Sequence, residues 1–354
     1  MKRFSWLLTE NGYSVALICR HRGGLDENEF PAQIKFYQLS STSFLKKMKE
    51  ILSCINDFNP DIVHTHYLVK DCLIPALKFG RKYKYYISIW GSDINIFSSN
   101  LLNRISQNIG LLLCDKFHLL SPYFEQKIMR QYFFLKNSDY SVFSWGIDYG
   151  YLSTPDKGEM VKLKEELHIK GDTLIILSYR NHMKLYNHHT LVKSIPYITK
   201  EYPNTKFIFT RGSYNKDYKE KTYQLVNELN IGQNFILLDR WLTDEELRAL
   251  INIADITLSI PDRDGLPATL FEIMSTKAIP VVSNLINYHP FFTDKINGFY
   301  LKNPKDHQEL SSILMTILSD LKNYQETFYP VNTAYIKAEQ NWQKQSKLFL
   351  DFYK

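Results

Sequence analysis

The sequence is poor in the features that mark several protein classes. Only four cysteines stand among 354 residues: Cys19, Cys54, Cys72 and Cys114. None forms a C-x-x-C pair, all fall in the first third, and Cys19 and Cys114 sit in apolar runs. That pattern excludes a disulfide framework and a zinc site, and it fits buried free thiols in a reducing cytoplasm. No apolar run approaches the roughly 20 residues of a membrane-spanning helix. Glu10, Asn11 and Gly12 interrupt what would be the apolar core of a signal peptide. Low-complexity tracts are missing too, and with them the case for disorder. Charge of one sign is also scarce: the formal net charge is +6. That surplus suits phosphorylated substrates or an anionic membrane surface. It lacks the dense basic patches of a nucleic-acid binder, so no nucleic-acid partner is expected.

What is present is apolar and aromatic. Hydrophobic residues make up 44% of the chain, with 24 Tyr and 22 Phe. This is enough for full cores, and the aromatics read as core and cleft lining. A length of 354 residues favours two domains over one. The pattern opens with a helix over 4–9, an Asn11-Gly12 cap and a strand over 14–19. A helix over 43–58 turns at Pro60-Asp61 into a strand that ends in His64-Thr-His66. Further strands fall at 85–90, ending in Trp90-Gly91-Ser-Asp93, at 115–121 with a serine-led turn, and at 141–144. The run 153–158, Ser-Thr-Pro-Asp-Lys-Gly, has linker composition and marks a boundary.

Beyond it the alternation restarts. Strands are expected at 173–178, 206–210 and 234–238, with helices at 188–200, 216–229 and 244–253. Thr243 and Glu246 form a capping box for the last of these. Another helix begins at Asp306-x-x-Glu309 and runs to about 321, and the tail from 334 is helical. So regular an alternation predicts parallel, doubly wound sheets. The domains are then 1–152, 153–333, and a C-terminal helix over 334–354.

One stretch of the second half concentrates the chemistry. After a β-rich run at 256–260, Asp264 and Gly265 turn the chain into a helix starting near Ala268, and a strand follows at 279–282. Asp264 stands in the loop and Glu272 in the helix's second turn. The amides of Ala268, Thr269 and Leu270 open that helix, where its dipole favours an anion. Amides for phosphate and acids for hydroxyls suit a sugar nucleotide. Arg180, after the strand at 173–178, can grip a diphosphate with its fork of donors. Lys184, Arg211 and Arg240 are secondary cationic candidates. His182, His188 and His189 read as solvated or capping residues rather than metal ligands.

Asp264-x7-Glu272, followed by Met274 and Pro280-Val-Val-Ser283, resembles the E-x7-E signature of family 4 (group 1) retaining glycosyltransferases, with Asp in place of the first Glu. The resemblance implies a GT-B fold, two Rossmann-like domains with a cleft between them, and a tail that packs back on the first. The family's opening strand and glycine-rich loop have no counterpart before residue 4, so the first domain is expected to lack its first strand. Trp90-Gly-Ser-Asp93 is similar to a His-Gly-Ser-Asp segment, which implies cleft roles for Trp90, Gly91 and Asp93 beside His64 and His66. Trp145-Gly-Ile-Asp148 resembles the segment that closes the first domain. Tyr186-Asn187 stands where the family commonly carries Lys-Gly.

The resemblance further implies hexose transfer from a nucleotide diphosphate sugar to a cell-surface glycan, with a lipid-linked acceptor at the inner membrane face. That would make the chain a cytoplasmic enzyme of polysaccharide biosynthesis, working without a metal or other cofactor. In that scheme Arg180 and the helix amides stabilise the leaving diphosphate. Asp264 meets sugar hydroxyls and Glu272 the ribose. The rival expectation is a nucleotide-sugar-binding protein without turnover.

Overall fold

The computed structural model describes residues 2–19, 30–41, 43–77, 80–95, 101–132, 134–135 and 138–354. The chain divides into two compact units, Met1–Trp145 with Gln343–Lys354, and Gly146–Trp342.

The first unit runs α1 (Lys2–Glu10), β1 (Ala16–Cys19), β2 (Lys35–Gln38), α2 (Phe44–Phe58), β3 (Ile62–His66), α3 (Leu73–Ala76), β4 (Lys84–Ile89), α4 (Ser92–Asn95), α5 (Leu101–Leu113), β5 (Lys116–Leu119), α6 (Pro122–Gln131) and β6 (Tyr140–Val142). β1 pairs with β2, while β3, β4, β5 and β6 form a second sheet in that order, and every pairing is parallel. Among the described residues the unit thus has no single continuous sheet. β4 shows why a central parallel strand reads as an unbroken apolar run: Tyr85, Ile87 and Ile89 are all fully buried. α2 ends where Asn59 adopts a left-handed conformation, φ 50°, just before Pro60. The serine-led turn at 121 is a helix start. Ser121 Oγ accepts the Phe124 amide and Pro122 fills the first helical position.

The second unit runs α7 (Tyr149–Ser153), α8 (Lys157–Glu166), β7 (Leu174–Ser178), α9 (His188–Glu201), β8 (Thr205–Thr210), α10 (Lys216–Glu228), β9 (Phe235–Leu238), α11 (Asp244–Ile253), β10 (Ile256–Ser259), α12 (Ala268–Met274), β11 (Ile279–Ser283), β12 (Phe299–Leu301), α13 (His307–Ser319) and α14 (Leu321–Tyr335). Its sheet is wholly parallel, in the order β12-β11-β10-β7-β8-β9. Strand order reverses between β7 and β10, and open α/β sheets bind ligands at such a switch point, beyond the strands' C-terminal ends. Ile176, Val192, Ile195, Phe207, Phe209, Leu258, Val281 and Leu314 make a dry core beneath it. Truncating any of these large side chains to Ala costs about 2–5 kcal/mol.

Three sequence expectations need adjusting. The boundary lies at 145/146 and not 152/153, because Asp148 caps α7 and the Trp342 amide donates to the Ile147 carbonyl. The stretch 153–158 is no free linker, since Asp156 accepts the Glu159 amide and starts α8. The segment 321–335 is helical, although Pro330 and its many polar residues hid it. Buried Phe328, and Asn332 donating to the Asn297 carbonyl at 2.9 Å, hold it in place. The tail continues through a π-turn, Ile336–Gln340, into α15 (Trp342–Phe352). Residues 343–354 belong to the first unit, where Phe349 meets Phe4 at 4.2 Å between ring centres. All four cysteines carry free thiols, but only Cys72 is buried; the other three are half-buried.

Candidate functional site

β7 and β10 lie side by side, so the loops leaving them meet. The β7 loop delivers Tyr179 and Arg180, and the β10 loop delivers Asp264. Arg180 Nη2 donates to Asp264 Oδ2 at 2.8 Å, and Nη1 lies 3.3 Å from Ser259 Oγ at the end of β10. The two side chains are only 7% and 14% exposed. Tyr288 donates its hydroxyl to the same Asp264 oxygen at 2.9 Å. The Tyr186 ring lies beneath the guanidinium, 4.5 Å from its centre, a cation–π contact. Burial opposes the charge on Arg180, but the Asp264 carboxylate together with Tyr186 and Tyr288 outweighs it and the pKa rises, so the arginine stays charged. Burial and then Asp264 push the Tyr288 phenol well up, which keeps it a donor.

Glu272 has its own partner. The Tyr179 hydroxyl lies 3.1 Å from Glu272 Oε2 and 2.8 Å from the Thr269 carbonyl, and donates between them. Burial and Glu272 together hold that phenol well above its usual range.

The backbone around these groups is tied down. Asn187 takes a left-handed conformation, φ 51°, which asparagine tolerates better than any other residue with a side chain. Its amide donates to the Ile260 carbonyl and to Asp262 Oδ1, both at 2.9 Å, clamping the β10 loop to the β7 loop. Tyr186-Asn187 therefore does structural work where the family carries Lys-Gly: asparagine supplies the glycine-like turn, and the tyrosine supplies a platform for Arg180. Gly265 donates its amide to Asp264 Oδ1 at 2.8 Å, and its carbonyl accepts from Asn287.

Other expected residues fall away from this cluster. The Leu270 amide donates to the Pro267 carbonyl, so only Ala268 and Thr269 keep undonated amides, at the head of a seven-residue helix. Lys184 is exposed in a short 3-10 turn. Arg211 pairs with Asp239 at 3.8 Å, and Arg240 clasps Glu246 and Glu166, so both serve local structure. The histidine expectation needs correcting as well. His182 and His188 are buried, and His182 Nε2 and His189 Nε2 each lie 2.9 Å from Thr222 Oγ1. Burial pushes His182 down to about 4 and His188 to about 3. Tyr179, Ser259 and Tyr288 were missed in the sequence, because nothing local distinguishes them from core tyrosines and strand serines.

In the first unit the expected cleft residues split into two kinds. Asp93 is a pin: fully buried, it accepts the amides of Leu68, Trp90, Gly91 and Ile94 at 2.7–3.2 Å. Burial raises its pKa despite those four donors. Gly91, at φ 94°, permits the turn. His64 is also structural. The Tyr353 hydroxyl donates to His64 Nδ1 at 2.5 Å, and His64 Nε2 donates to Ser88 Oγ at 2.8 Å. Ser88 in turn donates to His118 Nδ1 at 2.9 Å, and His118 Nε2 donates to the Phe143 carbonyl at 2.8 Å. That last bond, to an acceptor that can only accept, fixes every proton along the chain. His66 and Trp90 stay outside it, beside Trp145.

Residues 160–330 match the family model described as Glycosyl transferases group 1, and residues 1–121 match that described as Glycosyl transferase 4-like. An uncharacterized glycosyltransferase of Methanocaldococcus jannaschii is 23% identical over 263 residues, 68% of this chain. The match spans 59% of that relative's own length. Sucrose-phosphate synthase of Thermosynechococcus elongatus aligns with a TM-score of 0.82 at 15% identity, over 99% of this chain and 91% of that one. Anabaena HepE in complex with UDP and glucose gives 0.79 at 13% identity, over 98% and 93%. At such identities the structural likeness speaks for the fold alone.

Proposed function

Because the chain is a group 1, family 4-like glycosyltransferase of GT-B fold, we propose that it moves a hexose with retention from a nucleotide diphosphate sugar to a glycan acceptor. The observation that carries this is a pair of contacts at the switch point of the second unit's sheet: Arg180 with Asp264 of the β10 loop, and its neighbour Tyr179 with Glu272 of α12. As the bond from the anomeric carbon to the diphosphate breaks, the electron pair goes to the diphosphate oxygen. A buried guanidinium, already oriented, stabilises that charge without reorganisation, an effect worth roughly 3–4 kcal/mol per donor. The Ala268 and Thr269 amides add to it. Glu272 is assigned the nucleotide ribose. Asp264 is assigned a double duty, orienting Arg180 through Oδ2 and facing the sugar.

The reading includes no metal. The one Asp-x-Asp spacing has its acids engaged separately: Asp262 with Asn187 and Lys305, Asp264 with Arg180 and Tyr288. Unchanged turnover in EDTA is the expected result. A lipid-linked acceptor in polysaccharide biosynthesis, met at the cytoplasmic membrane face, is supported by the exposed Leu101, Leu102, Ile105 and Leu112 of α5 around Arg104. No described helix is long and apolar enough to cross a membrane. Flotation with phosphatidylglycerol vesicles tests that contact, and Leu102→Asp is expected to weaken it.

A donor-binding protein without turnover is the second reading. It is favoured by one fact: Asp264 already neutralises the charge that Arg180 would lend to a diphosphate. A nucleotide-sugar screen by thermal shift, followed by transfer and hydrolysis assays on the hits, separates the two. At 100 times its dissociation constant the donor adds about 2.7 kcal/mol of stability. Glu272→Ala is expected to abolish the donor's shift; an unchanged shift would put the nucleotide elsewhere.

A further inference from the structure

The loop that carries Arg180 is held to the rest of the second unit through two histidines and one hydroxyl. Two residues beyond Arg180, His182 donates its amide to the Arg211 carbonyl at 2.9 Å, and its carbonyl accepts the Asn215 amide at 3.1 Å. Asn181 Oδ1 accepts the Ser213 amide at 3.0 Å, and a side chain at Gly212 would strike Asn181. The loop after β7 is thus laced to the loop after β8.

The His182 ring reaches beyond both loops to α10. His182 Nε2 and His189 Nε2 each lie 2.9 Å from Thr222 Oγ1, and Thr222 donates its hydroxyl to the Tyr218 carbonyl at 2.8 Å. A hydroxyl has one proton and two lone pairs. With its proton given to Tyr218, Thr222 has room for two donors and receives two. Both imidazoles therefore carry a proton on Nε2. His182 and Thr222 are fully buried. His182 stacks on His188 at 4.7 Å between ring centres, and His189 on Tyr218 at 4.1 Å.

The arrangement requires a neutral His182. Its Nδ1 is buried and has no hydrogen-bond partner among the described residues, so a second proton there would meet no acceptor. Around the ring stand His188 and His189 of α9, Tyr218 and Lys219 of α10, and Asp239 after β9. Asp239 is already engaged by Lys219 and Arg211. Burial, ahead of His189 and Lys219, pushes His182 down to about 4.

We propose that His182 is a positioning residue for Arg180, and that its bond to Thr222 latches the Arg180 loop to α10. The role rests on the donor-site reading above. A released imidazole titrates near about 6.5, above the latched one, so the latch is intact above that pH and weakens as pH falls below it. For one proton, opening of the loop becomes about tenfold easier between about pH 7.5 and 5.5.

Hydrogen exchange of the full chain reads the latch at the amides of 179–187 and 211–215, after correction for intrinsic rates. Their protection is expected to fall about tenfold over that pH range. His182→Gln offers Thr222 an N–H but no titrating ring, so it is expected to hold the loop and lose most of the pH response. Thr222→Val removes the shared acceptor and is expected to lower protection about tenfold at neutral pH, and Thr222→Ser to restore it. Isothermal titration with UDP, GDP and ADP, where urea curves show each variant folded, reads the consequence for the donor site. The diphosphate that binds is expected to lose about tenfold in affinity in Thr222→Val and to regain it in Thr222→Ser. A merely structural Thr222 would move the urea midpoint and leave the folded protein's affinity alone. Loss of affinity in Arg180→Ala but not in Thr222→Val, or a full pH response kept in His182→Gln, overturns the latch. Binding of no diphosphate, or full affinity in Arg180→Ala, fails the donor-site reading instead, and the exchange rates then decide whether His182 holds the loop.

Discussion

The two units handle their polar side chains in opposite ways. In the second, each charged group at the switch point has a protein partner: Arg180 with Asp264, Asp264 with Tyr288, Glu272 with Tyr179. In the first, ring nitrogens of His66, Trp90 and Trp145 have none. The difference follows from what each arrangement costs. A buried charge without a partner is far more costly than an unpaired indole N–H. A charged site must therefore be assembled before its ligand arrives, whereas a neutral aromatic cluster tolerates an unpaired N–H at smaller cost. The second unit is preorganised by electrostatics and the first by shape.

The strongest way to break this contrast is to strip the second unit of its cation. Arg180→Ala leaves Asp264 mostly buried and without its cation, beside neutral donors such as the Tyr288 phenol and the Gly265 amide. Stability is expected to fall by about 3–5 kcal/mol, as for other broken buried pairs. Turnover is expected to fall by about 10²–10³, the usual cost of a lost oxyanion donor. Urea unfolding and a transfer assay measure the two. Arg180→Lys is expected to recover part of the stability but little of the rate, because an ammonium cannot bridge Asp264 and Ser259 as the planar fork does.

Acid attacks both units together. His66 and His118 are held down to about 3 and His182 to about 4, each chiefly by burial. Unfolding releases them to about 6.5. As pH falls below 6.5, the unfolded chain takes up protons that the folded chain refuses, so stability declines. It is intact above 6.5 and falls through the window down to about 4 for His182 and about 3 for the others. Each histidine contributes at most about 1.4 kcal/mol per pH unit within its window. Urea midpoints between pH 7 and 5 should fall steadily. A flat profile would mean that these rings gain water and charge without unfolding.

How much of this was legible in the sequence differs between the units for the same physical reason. The second unit's strands and helices were readable because its sheet alternates regularly, with caps such as Thr243 and Asp306 in plain view. Arg180, Asp264 and Glu272 stood at strand ends and a helix start, positions that spacing identifies. That Arg180 and Asp264 are partners was not legible, since they are brought together only by the pairing of β7 with β10. Tyr288 was invisible for a like reason, because it reaches Asp264 from beyond β11. In the first unit, Asp93 was expected to line the cleft because Trp90-Gly-Ser-Asp93 resembles the family's His-Gly-Ser-Asp segment. Only the four backbone amides around it show a pin. Trp145 belonged, in the sequence, to a closing segment. Its place beside Trp90 depends on the folding of chain far from both.

The smallest effects sharpen the contrast most, since one change can be made in each unit. Tyr288→Phe and Tyr353→Phe both delete one buried hydroxyl and nothing else. Each is expected to cost about 1 kcal/mol of stability, the net worth of an ordinary hydrogen bond. The consequences then diverge. Without Tyr288, Asp264 keeps Arg180 but loses a second donor, so its charge draws the guanidinium harder and lends less of it to a diphosphate. Donor affinity or turnover should drop several-fold. Without Tyr353, His64 Nδ1 loses its donor, but His64 still donates to Ser88, and no charge in the second unit changes. Donor binding should be untouched. Isothermal titration with the donor, run beside urea unfolding on both variants, distinguishes them. Equal losses of donor affinity would mean that the first unit's hydrogen-bonded chain and the second unit's charge pairs are not the separate devices that their chemistry indicates.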